Sequence, residues 1–111
     1  MNRGSIDQRG ALEAVERILN RGGDADVVLR MVLEALQSRG VSSARVLLME
    51  DGRLVEGLAL GGEAERIVAP VFYDGTEVGS LELAVGDISF AERMATLISP
   101  YVVRLDTPRE G

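Results

Sequence analysis

The first 40 residues repeat apolar positions with the period of an α-helix. Between residues 6 and 21 these positions recur three and four apart, which predicts one helix that ends at Gly22-Gly23. A second helix is predicted over residues 25–39, with Asp24 as its N-cap and Gly40 at its end. The apolar stripe of the first helix is Ala11, Ala14, Val15, Ile18 and Leu19, and that of the second is Val28, Met31, Val32, Ala35 and Leu36.

From residue 44 to residue 85 the pattern changes to short apolar runs joined by turn residues. Asp51-Gly52 and Asp74-Gly75 each predict a tight hairpin, so strands are expected over residues 44–50, 53–60, 66–73 and 76–85. Pro70 has no backbone N–H, which predicts that the third strand lies at a sheet edge. Alternation along the second strand predicts Leu54, Leu58 and Leu60 on one face and Val55, Gly57 and Ala59 on the other.

The last predicted element is a helix that begins with the capping-box pattern Ser89-Phe90-Ala91-Glu92. Pro100 either kinks this helix or restarts it with Ser99 as cap. The element order α-α-β-β-β-β-α predicts an α+β fold, in which N-terminal and C-terminal helices pack on one face of a small four-stranded antiparallel sheet. Residues 1–111 fit a single domain, with residues 1–5 and 107–111 expected to be frayed.

The residue types exclude several kinds of chemistry. The chain has no His, Cys, Lys or Trp, and its twelve positive charges are all Arg. It therefore lacks an imidazole base, a thiolate nucleophile, a Schiff-base lysine and the ligands of Cys-rich zinc sites. Helix capping explains the pair Asp24 and Asp26, and a solvated loop explains Glu63 and Glu65. We expect no catalytic residue, metal site or cofactor, and only the number of acids supports an all-carboxylate enzyme.

The net charge of −6 is unevenly distributed along the chain. Residues 1–40 carry six Arg and six acids, whereas residues 41–111 carry six Arg and twelve acids. This acidic excess argues against nucleic acid and anionic membrane surfaces as partners, since both require a basic surface. No apolar run has the roughly 18 residues of a membrane span, and the first ten residues lack the apolar centre of a signal peptide. We therefore expect a cytoplasmic protein, or one domain of a longer cytoplasmic protein.

The stretch over residues 70–85 carries the most informative pattern. Pro70 is followed by the Asp74-Gly75 turn, by Val78-Gly79 and by the alternating run Leu81-Glu82-Leu83. Together with the helices and hairpin before it and the helix that starts near Phe90, this resembles the GAF family of small sensor and dimerisation domains over residues 12–103. The resemblance implies a role in bacterial signalling. Gly79 on the inward face also predicts a bulge or the close approach of another backbone.

The chain departs from the GAF pattern between its two hairpins. GAF domains have helices and often a further strand there, which enclose a small-molecule pocket, whereas only residues 61–65 join the hairpins here. Five residues are too few for a helix of useful length, so no enclosed pocket is expected. The family's cyclic-nucleotide pattern is missing. Without Cys, the chain has neither a bilin attachment site nor the family's methionine-sulfoxide reductase chemistry.

These observations predict a non-catalytic GAF-like domain for self-association or protein docking. The alternative is a small-molecule sensor whose pocket is completed by a partner or in a dimer. The first and last helices are expected to flank the sheet and to form most of a homodimer interface. The candidates for that interface are Val15, Ile18, Leu19, Leu97, Ile98, Tyr101 and Leu105, and the candidates for an exposed sheet face are Leu47, Met49, Val55, Val68 and Phe72.

Overall fold

The computed structural model describes residues 6–106 and confirms the predicted order of elements. Within this part of the chain, two helices are followed by two β-hairpins and a final helix. Each predicted boundary lies within two residues of the observed one, and the tails expected to be frayed, residues 1–5 and 107–111, lie outside the described residues. The elements are α1 (Gln8–Arg21), α2 (Ala25–Ser38), β1 (Ser43–Glu50), β2 (Arg53–Gly61), β3 (Ile67–Tyr73), β4 (Thr76–Leu83) and α3 (Ile88–Asp106).

The four strands form one antiparallel sheet in the order β2-β1-β4-β3. The central strands are therefore β1 and β4, and β3, which contains Pro70, lies at an edge as predicted. Both hairpins turn at an Asp-Gly pair, with φ of 53° and 77° at Asp51 and Gly52, and of 55° and 81° at Asp74 and Gly75. Two consecutive positive φ values are typical of the type I′ turn, whose twist matches that of a hairpin.

The helices lie on one face of the sheet, as predicted. α2 packs on β1 and β2, while α3 packs mainly on β3 and β4, so these two helices share the width of the sheet. Each helix is about 10 Å in diameter, and four strands span roughly 19 Å, which leaves no room for a third helix in that layer. α1 therefore packs against α2 and α3, and the prediction that α1 flanks the sheet was wrong. The core between these layers includes Val15, Leu29, Leu33, Val46, Leu81, Leu83, Met94 and Ile98.

A β-bulge interrupts the pairing of β2 with β1. Glu56 and Leu58, which lie on either side of Gly57, pair with the consecutive residues Leu47 and Val46 of β1. Gly57 is the extra residue of the bulge. A Cβ at this position would lie 3.2 Å from the Val46 carbonyl oxygen, so a side chain there would be crowded by backbone.

The bulge reverses which side chains of β2 share a face. Val55 pairs with the buried Leu48 and therefore lies on the face that the helices cover. Leu54 lies on the opposite, open face. The predicted alternation of β2 was thus wrong between the bulge and the Asp-Gly turn, and Val55 is not a residue of the exposed sheet face.

The N-cap of α3 is Asp87 and not Ser89. Asp87 Oδ1 accepts hydrogen bonds from the backbone N–H groups of Ser89, at 3.0 Å, and Phe90, at 3.4 Å. Asp and Ser are comparable N-cap residues, so the pattern alone did not separate them. Phe90 is buried at the start of α3, as expected of a packing anchor.

α3 runs through Pro100 without a restart. Pro100 has no N–H to donate to the carbonyl oxygen of Thr96, one turn earlier in the helix. Ser99 Oγ donates to that same oxygen at 2.9 Å and so satisfies it. Ser99 therefore supports a continuous helix instead of capping a new one.

Candidate interaction surface

The sheet face opposite the helices is open and largely apolar near the hairpin turns. Strand register decides which residues lie on this face, and it shifts by one residue at Gly57 in β2 and at Val78 in β4. Phe72, with 55% of its surface accessible, is the most exposed large apolar residue within residues 6–106. We call the following five residues the apolar patch: Leu47, Met49, Leu54, Val68 and Phe72. Four of them were predicted from the sequence, and Leu54 was missed because of the bulge in β2.

Four alternating charges cross the same face, and we call them the charged row: Arg66, Glu82, Arg45 and Glu56. Arg45 donates from Nε and Nη2 to Glu82 Oε1, at 3.0 and 2.8 Å, and from Nη1 to Glu56 Oε1 at 2.9 Å. Arg66, just before β3, donates from Nε to Glu82 Oε1 at 3.3 Å and from Nη1 to Ser43 Oγ at 2.8 Å. The row thus links the two hairpins through side chains as well as through the backbone.

The charged row holds Arg45 between two carboxylates. Hydrogen bonds to Glu82 and then to Glu56 raise the pKa of Arg45 above its ordinary value. Its guanidinium therefore stays charged at any pH at which a folded protein is handled. The Glu82 side chain is 14% exposed and that of Glu56 is 55% exposed, so the Arg45–Glu82 pair is the less screened part of the row. Two Arg and two Glu give the row no net charge, and the −6 of the chain is carried elsewhere.

Ser80 lies in the middle of the open face with its hydroxyl buried. It pairs with Leu47 of β1 on one side and with Pro70 of β3 on the other, and only 1% of its surface is accessible. Ser80 Oγ has no hydrogen-bond partner in the described part of the chain. A buried hydroxyl without a partner lowers stability, because it has lost its hydrogen bonds to water and gained none in return.

The helix positions predicted for a dimer are engaged within the monomer. Val15 and Ile98 are fully buried in the core, so neither is available to a partner in this conformation. The Tyr101 hydroxyl donates to the Leu19 backbone carbonyl at 3.2 Å, which joins α3 to α1. The side chains of the other candidates pack partly against the core: Ile18, Leu19, Leu97, Leu105. The open face of the sheet is therefore the better interface candidate.

The described part of the chain also has shallow surface depressions. One of about 410 Å³ is lined by Asp24, Asp26 and Arg104. Asp24 occupies the N-cap position of α2, but its side chain makes no capping hydrogen bond. Residues 6–106 contain no group of three or more side chains placed to hold a metal ion. A depression of about 270 Å³ lies at the end of the charged row, between Arg45, Arg66 and the loop that follows β2.

Neither the charged row nor the buried hydroxyl was predicted from the sequence. Arg45 and Glu82 each stand at an outward position between two apolar residues that point into the core. Opposite charges at such positions of two strands are the available signal, because directly opposed side chains of opposite charge stabilise a strand pair. Using that signal requires the register between β1 and β4, which no local pattern encodes.

Comparisons with protein-family models, with curated proteins and with solved structures give no significant match. Among residues 6–106, none of the helices combines the length and the apolarity that crossing a membrane requires. The function is therefore inferred from the surfaces of the chain itself.

Proposed function

We propose that this chain is a non-catalytic, GAF-like protein-interaction domain that binds its partner through the open face of its sheet. The apolar patch is the observation that carries this proposal. Its five residues lie on one face, where Leu54, Val68 and Phe72 are exposed and Leu47 and Met49 are half-buried, and the described part of the chain places nothing over them. Exposed apolar residues gathered on one face of a small domain favour an interface, because covering them removes apolar area from water.

Residue types support a non-catalytic role. In the absence of His, Cys and Lys, acid–base or nucleophilic catalysis would depend on carboxylates and hydroxyls. Of the carboxylates on the open face, Glu56 and Glu82 are engaged in ion pairs with Arg45 and Arg66, and Glu77 lies beside Phe72. The ion pairs link neighbouring strands of the sheet.

The proposed setting is signalling in the cytoplasm of a bacterium. The GAF resemblance supports the signalling role, and the absence of Cys fits a reducing compartment. The short connection between β2 and β3 supports docking over ligand enclosure, since residues 62–66 are too few to build a lid over the sheet.

Photo-crosslinking from one position of the open face tests the proposal. A benzophenone amino acid placed at Phe72 conserves an exposed aromatic ring and reports which molecule covers it. The matched control is Val27 on α2, which is 50% exposed and lies on the helical side of the domain. In cells that produce the protein at its natural level, we expect protein adducts from position 72 and few from position 27.

A second substitution on the same face shows whether these adducts reflect a real interface. Val68→Lys should remove the adducts from position 72, because an ammonium covered by a partner loses its water, and the neighbouring Glu82 is already paired with Arg45 and Arg66. Equal adducts from positions 72 and 27, or adducts that survive Val68→Lys, would contradict the proposal.

A small-molecule sensor is the second candidate function, and the 270 Å³ depression favours it. Arg45 and Arg66 line this depression together with Glu56 and Glu63, so a small polar ligand would meet both guanidinium donors and carboxylate acceptors. The depression is slightly smaller than most ligand pockets, which hold about 300–1,000 Å³. A thermal-shift screen with nucleotides, amino acids and lipids separates the two functions. A saturable shift of several degrees that Arg66→Ala abolishes would favour the sensor.

A further inference from the structure

The charged row becomes its own complement when its order is reversed. Across the sheet it reads positive, negative, positive, negative, from Arg66 through Glu82 and Arg45 to Glu56. A two-fold rotation about an axis parallel to the strands reverses the order of the strands and keeps positions along them. In such a pair Arg45 of one copy faces Glu82 of the other, because these two residues are directly opposed in the sheet. Glu56 pairs with Leu47, nearer the turns, and is therefore offset from Arg66 along the strands.

We propose that the partner on the open face is a second copy of this chain, packed face to face about a two-fold axis parallel to the strands. This inference rests on the proposed function and names the partner that the open face binds. A partner of any other kind would need a surface with the reversed order of charges. A second copy supplies that order by symmetry, because the same patch is used by both subunits.

The position of the apolar patch also favours an axis parallel to the strands. Met49, Leu54 and Phe72 lie on the side of the charged row nearer the two Asp-Gly turns. With an axis parallel to the strands, the turn ends of the two copies lie at the same end of the dimer. Met49, Leu54 and Phe72 of one copy therefore lie opposite the same region of the other copy. An in-plane axis perpendicular to the strands would set Arg over Arg and Glu over Glu, and would separate the two patches. Charge and apolar surface therefore favour one arrangement.

The size of the face sets the expected strength of the dimer. Strands about 4.8 Å apart and about seven residues long give a face of roughly 450 Å² for each copy. Two such faces bury roughly 900 Å², below the roughly 1,200–2,000 Å² of stable complexes. Since the row itself is neutral, the −6 charge of each copy acts only from a distance and is screened beyond about 8 Å in physiological salt. We expect a reversible dimer with a Kd in the micromolar range.

Sedimentation velocity of the full chain from 1 to 500 µM measures this equilibrium. The wild-type protein should shift from monomer to dimer over this range. Phe72→Arg should weaken the dimer at least tenfold, while Val27→Arg, at a similarly exposed position on α2, should not. Both positions are exposed in the monomer, so neither variant removes a core contact.

Mixing two charge-reversal variants tests the orientation of the copies. Arg45→Glu alone and Glu82→Arg alone each set like charges against each other in the homodimer, so each variant should sediment as a monomer. An equimolar mixture restores opposite charges at both facing positions and should form a heterodimer. Circular dichroism of each variant shows whether it is folded before mixing. If either charge variant is unfolded, the effect of Phe72→Arg on the dimer still tests the proposal.

Each outcome separates this inference from the proposed function. If the wild-type protein is a monomer at 500 µM and position 72 forms adducts with a different protein, the inference that the partner is a second copy is overturned. The proposed docking function would then still hold. A dimer that survives Phe72→Arg would place the interface elsewhere and overturn the inference. Folded charge variants that fail to pair when mixed would overturn the proposed axis. A monomer with no adducts from position 72 would overturn both proposals.

Discussion

Arg45 and Glu82 face each other across the two central strands and share two hydrogen bonds, from Nε and Nη2 to the same carboxylate oxygen at 3.0 and 2.8 Å. That oxygen also accepts from Arg66 Nε at 3.3 Å. Glu82 therefore accepts hydrogen bonds from two arginines, whereas Glu56, at the outer end of the row, accepts only from Arg45. The two glutamates form a natural pair for comparison, because they contact the same arginine at different degrees of burial.

Glu82→Ala should lower the free energy of unfolding by about 1–2 kcal/mol, since it removes charge-assisted hydrogen bonds from two arginines in a partly buried position. Glu56→Ala should change it by less than about 0.5 kcal/mol, since exposed ion pairs contribute little. Urea unfolding at a protein concentration of 1 µM, where the monomer dominates, measures both values. Equal losses in the two variants would mean that burial does not distinguish the pairs.

The sequence predicted the features of the fold that depend on local chemistry. The Asp-Gly turns, the edge position of Pro70 and the close approach at Gly79 each follow from what one residue type can or cannot do in the backbone. Faces were predictable wherever alternation was unbroken, as from Gly79 to Leu83 in β4. Val78, just before this run, is the extra residue of a second bulge, opposite Val71 and Phe72 of β3. In β2 one extra residue, Gly57, reversed the faces of Leu54 and Val55, and nothing in the run distinguishes a bulged strand from a regular one.

The candidate surface was predictable only in part. The apolar residues of β1 and β3 could be assigned to an exposed face because no helix was available to cover them. A core stripe and an interface stripe look alike on a helix, and for this reason Val15 and Ile98 were proposed as contacts although both are fully buried. The charged row depends on strands that are distant in the sequence, so its members cannot be grouped before the register is known.

Gly79→Ala should lower the free energy of unfolding by about 1–3 kcal/mol. A Cβ at Gly79 would clash with the carbonyl oxygen of Leu47 on the neighbouring strand and lie 3.1 Å from Val102 Cγ1 on α3, so backbone would have to move. Gly62→Ala is the control, because a Cβ there has no neighbour within 4 Å. Its stability should change by less than about 0.5 kcal/mol. Similar denaturation midpoints for Gly79→Ala and wild type would show that β1 and β4 can separate without cost.

Ile98→Glu should unfold the monomer and should not yield a folded monomer released from a dimer. Ile98 is fully buried among the core residues, and a buried carboxylate without a partner costs an amount comparable to the whole stability of a small domain, about 5–15 kcal/mol. Val27→Glu, on the exposed side of α2, should remain folded. Circular dichroism and heteronuclear NMR spectra report the outcome. A folded, monomeric Ile98→Glu protein would instead favour an interface on α3.

Two buried serines should respond in opposite ways to loss of their hydroxyl groups. Ser80 Oγ has no partner among residues 6–106, so Ser80→Ala removes an unpaired polar atom and should raise the free energy of unfolding by up to about 1 kcal/mol. Ser99 Oγ donates at 2.9 Å to the Thr96 carbonyl, for which Pro100 has no N–H. Ser99→Ala should therefore lower the free energy of unfolding by about 1 kcal/mol. Thermal and urea unfolding of the two variants side by side measure the difference. A loss in Ser80→Ala as large as that in Ser99→Ala would show that Ser80 Oγ has a partner in solution, and the middle of the open face would then be the place to look for it.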